Sequence, residues 1–189
     1  MDKTVILIGP MMAGKSTVGE LLAERLGLPR CVLDDIRWDY YKQAGYDEDE
    51  ARRIHAEGGQ IAILEFFKPY EAALVEHALP AYPDHVIDFG AGHSVYEDEA
   101  LFARVEKALA PYPNVFLLLP SPDEEEAIKV LNKRFSALLE REVGAVDPAL
   151  LELNAQFVRR PDNRRLAKQV FYTEGRTAEE TAEEMVMGM

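Results

Sequence analysis

The chain has 189 residues, 48% of them hydrophobic, enough for one domain with a substantial core. Its 34 acidic against 21 basic residues leave a net charge of −13, which argues against nucleic acid, whose recognition needs a basic patch or stripe, and against anionic membrane surfaces. Cys31 is the only cysteine, excluding an intrachain disulfide or a cysteine zinc cluster, and the opening apolar run is too short for a signal-peptide core or a membrane span, so a soluble cytoplasmic protein is expected.

In chain order, Val5-Ile6-Leu7-Ile8 is a continuous apolar run, the pattern of a central parallel strand buried on both faces. Gly9 to Ser16 then read G-x-x-x-x-G-K-S, and a helical pattern begins at Thr17, which is the strand-loop-helix context of a phosphate-binding P-loop. Gly9 and Gly14 permit positive φ, so that the N–H groups of Met12, Ala13, Gly14, Lys15, Ser16 and Thr17 can surround a polyanion at a helix N-terminus. Lys15 would reach the β- and γ-phosphates, and the Ser16 hydroxyl would ligate a bridging Mg²⁺. The overall acidity does not oppose this, because distant charges are screened over about 8 Å at physiological salt.

The first helix places Val18, Leu21, Leu22 and Leu26 on one face and stops at Gly27. A second strand, 30–33, ends at Asp34-Asp35. One carboxylate of this pair can hold a Mg²⁺-bound water while the other accepts the proton of an acceptor hydroxyl; the alternative is a cap for a helix starting at Ile36. Residues 35–79 read as two or three helices broken near Gly45, at Gly58-Gly59 and at Pro69, and they carry the aromatic set Trp38, Tyr40, Tyr41, Phe66 and Phe67. A third strand, 85–89, with Asp88 as a candidate acid at its end, runs into Gly90-Ala91-Gly92-His93. These glycines allow close backbone approach of an acceptor, and His93 is a candidate hydrogen-bonding partner.

A helix is expected over 97–109, a strand over 115–119, and a helix capped by Ser121 with Glu124 as a capping box. Residues 134–161 are helical with a break at 144–148 and rich in arginine, as expected of a lid. Arg134, Arg141, Arg159 and Arg160 are its candidates for contacting a transferring phosphoryl group. A last strand, 169–173, Arg176 in the following loop and a helix over 177–187 complete the chain. Strands alternating with helices give a doubly wound α/β domain spanning 1–189, with ligands at the strand C-termini.

The order of P-loop, aspartates after the second strand, Gly-x-Gly after the third, arginine-bearing lid and Tyr172-Thr173-Glu174-Gly175-Arg176-Thr177 before the last helix resembles the shikimate kinase branch of P-loop small-molecule kinases, over essentially the whole chain. The resemblance implies a five-stranded parallel sheet of order 2-3-1-4-5 with a small helical lid, ATP and Mg²⁺, and phosphoryl transfer to a small hydroxylated metabolite. Asp34 corresponds to the first aspartate of the family's Asp-x-Asp, which organises Mg²⁺ and the acceptor; the second falls on Ile36, with Asp35 as the neighbouring substitute. The family's acceptor-binding arginine falls at Lys68, its Gly-Gly-Gly at Gly90-Ala91-Gly92, and its Arg-Pro-Leu-Leu lid motif is absent. Arg134 lies nearest the lid arginine, and Arg176 resembles the position flanking adenine. The departures cluster on the acceptor side, so an acceptor other than shikimate is expected. The alternatives are a nucleoside or nucleoside monophosphate kinase, a P-loop NTPase switch, and a true shikimate kinase.

Overall fold

A computed structural model describes residues 3–189. The apolar runs form β1 (Val5–Ile8), β2 (Arg30–Val32), β3 (Val86–Asp88), β4 (Asn114–Leu119) and β5 (Gln169–Tyr172) of one parallel sheet with strand order β2-β3-β1-β4-β5. The register aligns Leu7 with Asp88 on one side of β1 and with Phe116 on the other. Helices α1 (Lys15–Leu26), α2 (Leu33–Gln43), α3 (Glu48–Ala81), α4 (Glu99–Leu109), α5 (Glu124–Glu142), α6 (Pro148–Arg159), α7 (Asp162–Leu166) and α8 (Ala178–Met187) cover it.

Period-two alternation divides β1 between two cores. Ile6 and Ile8 join Leu33, Leu74, Val75, Phe89 and Phe102 under α2, α3 and α4. Val5 and Leu7 join Val18, Leu22, Phe116, Leu131 and Met185 under α1, α5 and α8. Burying each such side chain contributes about 1.5–3 kcal/mol before the entropy of ordering it is subtracted, so the strand carrying the P-loop is gripped from both faces.

Three local expectations change. β2 ends at Val32, and α2 begins at Leu33, so Asp34 and Asp35 lie inside its first turn, where their charge favours the helix dipole, rather than in a strand-end cap. α3 continues through Pro69, with non-helical backbone only at Gly59 (φ 72°), because packing against α2 and α4 outweighs the hydrogen bond a proline forfeits. The cap of α5 is Asp123, whose carboxylate accepts from Glu126 N at 2.8 Å, while Ser121 Oγ accepts from Asp123 N at 3.1 Å. Because the helix starts at Glu124, Asp123 occupies the N-cap position and Ser121 lies two residues before it.

Helix α7 was not apparent in the pattern. Its Asp162 and Asn163 are buried and fix the turn after β3: Ser94 Oγ donates to Asn163 Oδ1 at 2.7 Å, and Tyr96 N to Asp162 Oδ2 at 3.0 Å.

Candidate active site

Gly9 has φ 142°, and a Cβ there would sit 2.6 Å from the Leu118 carbonyl oxygen, so only glycine lets β1 turn into the loop against β4. Met12 (φ 65°) and Gly14 (φ 96°) are left-handed, and Gly14 caps α1 without a side-chain acceptor. The first amides of α1 are thereby left for an anion. Lys15 Nζ donates to Gly9 O at 2.8 Å and Pro10 O at 2.9 Å. Burial pulls its pKa down to about 8, against the opposing pull of the Asp88 and Asp34 carboxylates.

Two groups from distant sequence hold this loop. Asn154, fully buried on α6, accepts from Met11 N at 2.8 Å and donates to Met11 O at 3.3 Å. Arg134 on α5 donates to Met12 O at 3.2 Å. Arg134 was a sequence candidate; Asn154 was not, because a lone asparagine in an amphipathic helix gives no local sign of a partner 143 residues away.

Three cavities surround the loop. One of about 180 Å³ lies beside Gly14, Thr17, Arg134, Thr173, Arg176 and Thr177. A second, about 260 Å³, is lined by Lys15, Ser16, Asp34 and Asp88. A third, about 190 Å³, is lined by Asp34, Arg37, Lys68, Glu71, His93 and Phe157. The second and third share Met11, Asp34, Gly90 and Ala91, so the Asp34 carboxylate stands where the two meet.

The helical turn beginning at Leu33 explains which residues reach the site. Asp34 and Arg37, three apart, share one face and approach each other at 3.4 Å. Ile36 and Tyr40 turn instead to the apolar core. Asp35, exposed, lines none of the three cavities.

On the acceptor side, Lys68 Nζ donates to Glu71 Oε2 and to Gly92 O, both at 2.9 Å, and both side chains are buried. A Cβ on Gly92 would lie 2.7 Å from Glu71 Oε1 and 3.1 Å from Lys68 Nζ, so a side chain there would push the tips of this pair from their present positions. His93 is 1% exposed. Burial holds its pKa below the ordinary histidine value, although Glu71 and Asp34 act in the opposite direction. Arg37, Glu65 and Glu71 were not singled out in the sequence because their shared face appears only once α2 and α3 are packed.

The remaining candidates lie elsewhere. Arg141 pairs with Glu142, Arg159 with Glu152 and Glu125, and Arg160 with Asp162 and the Tyr96 carbonyl; none lines the three cavities. Arg176 lines the first cavity and pairs with Glu184. Asp88, 2% exposed, accepts from Arg30 Nη2 at 2.6 Å through Oδ2, and its buried Oδ1 has no hydrogen-bond partner among the described residues.

The donor set beside Lys15 is therefore a hydroxyl (Ser16) and two carboxylates (Asp34, Asp88), one with an orphaned buried oxygen. These hard oxygen donors fit Mg²⁺. The described residues contain no cluster of three or more acidic, histidine or cysteine side chains able to hold a metal. A nucleotide-bound Mg²⁺ does not need one, since phosphates and water complete its octahedron.

A P-loop at the end of a central parallel strand, with an acceptor-side cavity meeting it across one carboxylate, defines a P-loop small-molecule kinase, an ATP-dependent phosphotransferase. No protein-family model matches the chain. It is 31% identical to the shikimate kinase of Streptomyces coelicolor over 185 residues, covering 95% of this chain and 91% of that protein. It is 32% identical to the shikimate kinase of Streptomyces avermitilis with the same coverage. The chain belongs to the shikimate kinase family. Solved structures share the fold: shikimate kinase from Acinetobacter baumannii in complex with shikimate (TM-score 0.67, 20% identity, 99% of this chain and 92% of that one) and a gluconokinase from Sinorhizobium meliloti (TM-score 0.54, 17% identity, 98% and 91%).

Proposed function

We propose that the chain transfers the γ-phosphoryl group of Mg·ATP to a hydroxyl of a small metabolite other than shikimate. The position of Asp34, lining both the phosphate-side and the acceptor-side cavity, carries this reading. The amides of residues 12–17 cradle the phosphates, Lys15 neutralises charge on the β- and γ-phosphates, and Arg134 stabilises the phosphoryl group in flight. Ser16, with Asp34 and Asp88 behind it, would hold the nucleotide's Mg²⁺, which would supply electrostatic stabilisation of the transferring group. Asp34 accepts the acceptor proton, and Gly90, Ala91, Gly92, His93 and the Lys68–Glu71 pair bound the acceptor. Asp35 takes the lesser part of the aspartate pair, since it lines no cavity. Thr17 and Arg176 flank the base, and residues 134–161 act as the lid of a single domain.

Against shikimate stands Lys68. It replaces a planar guanidinium fork with a point charge, and that charge is already committed to Glu71 and Gly92 O. In favour of shikimate stand the names of the two whole-chain Streptomyces relatives. The acceptor-side cavity, about 190 Å³, is smaller than the roughly 300 Å³ at which drug-sized sites begin, which favours a single-ring or short-chain acceptor over a nucleotide. A cytoplasmic location is part of the reading, supported by the chain's single cysteine, which cannot form an intrachain disulfide.

Coupled ADP-release kinetics test the proposal. Slow ATP turnover alone, rising on addition of a hydroxylated metabolite, is expected. A rise only with nucleoside monophosphates selects a nucleotide kinase, and saturable, efficient turnover of shikimate at sub-millimolar concentration selects the family's namesake activity.

A further inference from the structure

His93 is buried to 1% exposure, lines the acceptor-side cavity, and neither ring nitrogen has a hydrogen-bond partner among the described residues. Its backbone is fixed, since Tyr96 Oη donates to His93 O at 3.0 Å and Ser94 is tied to Asn163. The ring packs edge-on against Phe89, with centroids 6.2 Å apart. Both Asp34 carboxylate oxygens and His93 Nδ1 lie 2.7 Å from the point where a Cβ on Gly90 would stand, so carboxylate and imidazole are separated by no more than twice that distance. A rigid, desolvated imidazole beside a carboxylate, both opening into one small cavity, is a built pair of hydrogen-bonding groups.

The charges around that pair define what it accepts. The cavity is lined by three carboxylates (Asp34, Glu65, Glu71) and two cations (Arg37, Lys68). Lys68 is held by Glu71 and Gly92 O and lies over the Tyr96 and Phe157 rings at 5.2 and 5.7 Å. Arg37 faces Asp34 and stacks on Trp38 at 4.7 Å. The nearby Arg160 is committed to Asp162 and Tyr96 O. Lys68 is thus committed, whereas Arg37 keeps only its 3.4 Å contact with Asp34 and a buried Nε without a partner among the described residues; with three carboxylates against two cations, an anion placed here still meets an excess of negative charge. Neutral imidazole offers one donor and one acceptor nitrogen, which matches a hydroxyl, itself donor and acceptor; a carboxylate can only accept.

Resting on the kinase reading above, we propose that the acceptor is an uncharged polyhydroxylated molecule whose neighbouring hydroxyls are bound by Asp34 and His93, with His93 as the residue that selects it. The hydroxyl on Asp34 is the one phosphorylated: its oxygen forms the new bond to the γ-phosphorus, the bond from that phosphorus to the β–γ bridging oxygen of ATP breaks, ADP leaves with that electron pair, and the hydroxyl proton passes to the carboxylate. The hydroxyl on His93 sets orientation.

Matched pairs isolate charge from shape: shikimate against its methyl ester, and D-gluconate against D-sorbitol, each followed by ADP release at saturating Mg·ATP. The neutral member is expected to exceed the acid by about tenfold or more in kcat/KM in at least one pair, with no pair reversed. His93→Ala is expected to raise KM for that neutral acceptor about tenfold, and His93→Asn, which keeps one donor and one acceptor, to recover part of the loss. ATP affinity by titration calorimetry shows that the variants are folded. Glu71→Gln, which releases Lys68, is expected to narrow or reverse the preference for the neutral member. An acid preferred by the wild-type enzyme overturns this inference while leaving the kinase reading intact. Turnover with nucleoside monophosphates alone, and with none of the four probes, overturns both. A His93→Ala variant that binds ATP and keeps wild-type KM for the neutral acceptor removes His93 from the proposal.

Discussion

Replacing Lys15 by methionine separates what the ammonium does for chemistry from what its burial costs the fold. The side chain is 9% exposed, and its pKa falls from an ordinary 10.5 to about 8, chiefly through burial. At about 1.36 kcal/mol per unit, the folded state disfavours the charged amine by about 3 kcal/mol relative to the unfolded chain. The folded pKa lies below the unfolded one, so the penalty is fully present below pH 8. It fades as pH rises toward 10.5, because the folded state releases the proton first. Lys15→Met abolishes this titration. Its stability relative to wild type is therefore expected to be greatest at pH 7 and to decline by about 3 kcal/mol by pH 10.5, equivalent to about 6–12 °C in Tm for a chain of this size. Phosphoryl transfer at pH 7 is expected to fall by a factor of about 10² to 10³ or more. Paired thermal melts across this pH range, with ADP-release assays on the same samples, measure both. A difference in Tm that stays constant with pH refutes the desolvated ammonium, and a folded variant with near wild-type turnover refutes its role in transfer.

Asp34→Asn is expected to lower kcat by about 10² or more, whereas Asp35→Asn stays within about twofold, since only Asp34 lines the cavities; equal small effects in steady-state assays would reduce both to helix-end electrostatics. Gly90→Ala puts a methyl 2.7 Å from both Asp34 oxygens and His93 Nδ1. It is expected to lower kcat/KM for the acceptor about 10- to 100-fold with little change in ATP affinity, and unchanged acceptor kinetics would mean that neither group touches the acceptor. Arg30→Ala leaves the Asp88 carboxylate buried without its ion-pair partner, and a loss of about 3 kcal/mol in urea unfolding is expected; an unchanged midpoint would contradict the buried pair.

The phosphate-binding half was legible because its information is local. Eight consecutive residues fix the P-loop, and the apolar run of β1 needs only its own composition to be read as a doubly buried strand. The acceptor half was less legible because its information is distributed. Whether Asp34 or Asp35 enters the site depends on whether Leu33 ends a strand or starts a helix, and one residue of difference rotates the pair by a large part of a turn. Ile36, aligned with an expected carboxylate, is a core position once the segment is helical. Asn154 meets Met11, and Arg30 meets Asp88, only through packing of elements far apart in the chain. The lid arginines were indistinguishable by type; of the four, only Arg134 is directed at the P-loop, by its place on α5.

The strand order has a consequence for how this scaffold changes its substrate. With β1 central, β2 and β3 deliver Asp34, Gly90 and His93 to one flank of the P-loop, while β5 and α8 deliver Thr173 and Thr177 to the other. The two flanks meet only at the loop itself. Substitutions at His93 and at Thr173 share no direct partner, so their free-energy effects are expected to add, as they do for independent sites. Recruitment to a new acceptor can therefore proceed by changes at positions such as Lys68 and His93, which line the acceptor-side cavity and neither of the other two, without renegotiating the hold on the nucleotide, and the departure from the family pattern at Lys68 is one of them.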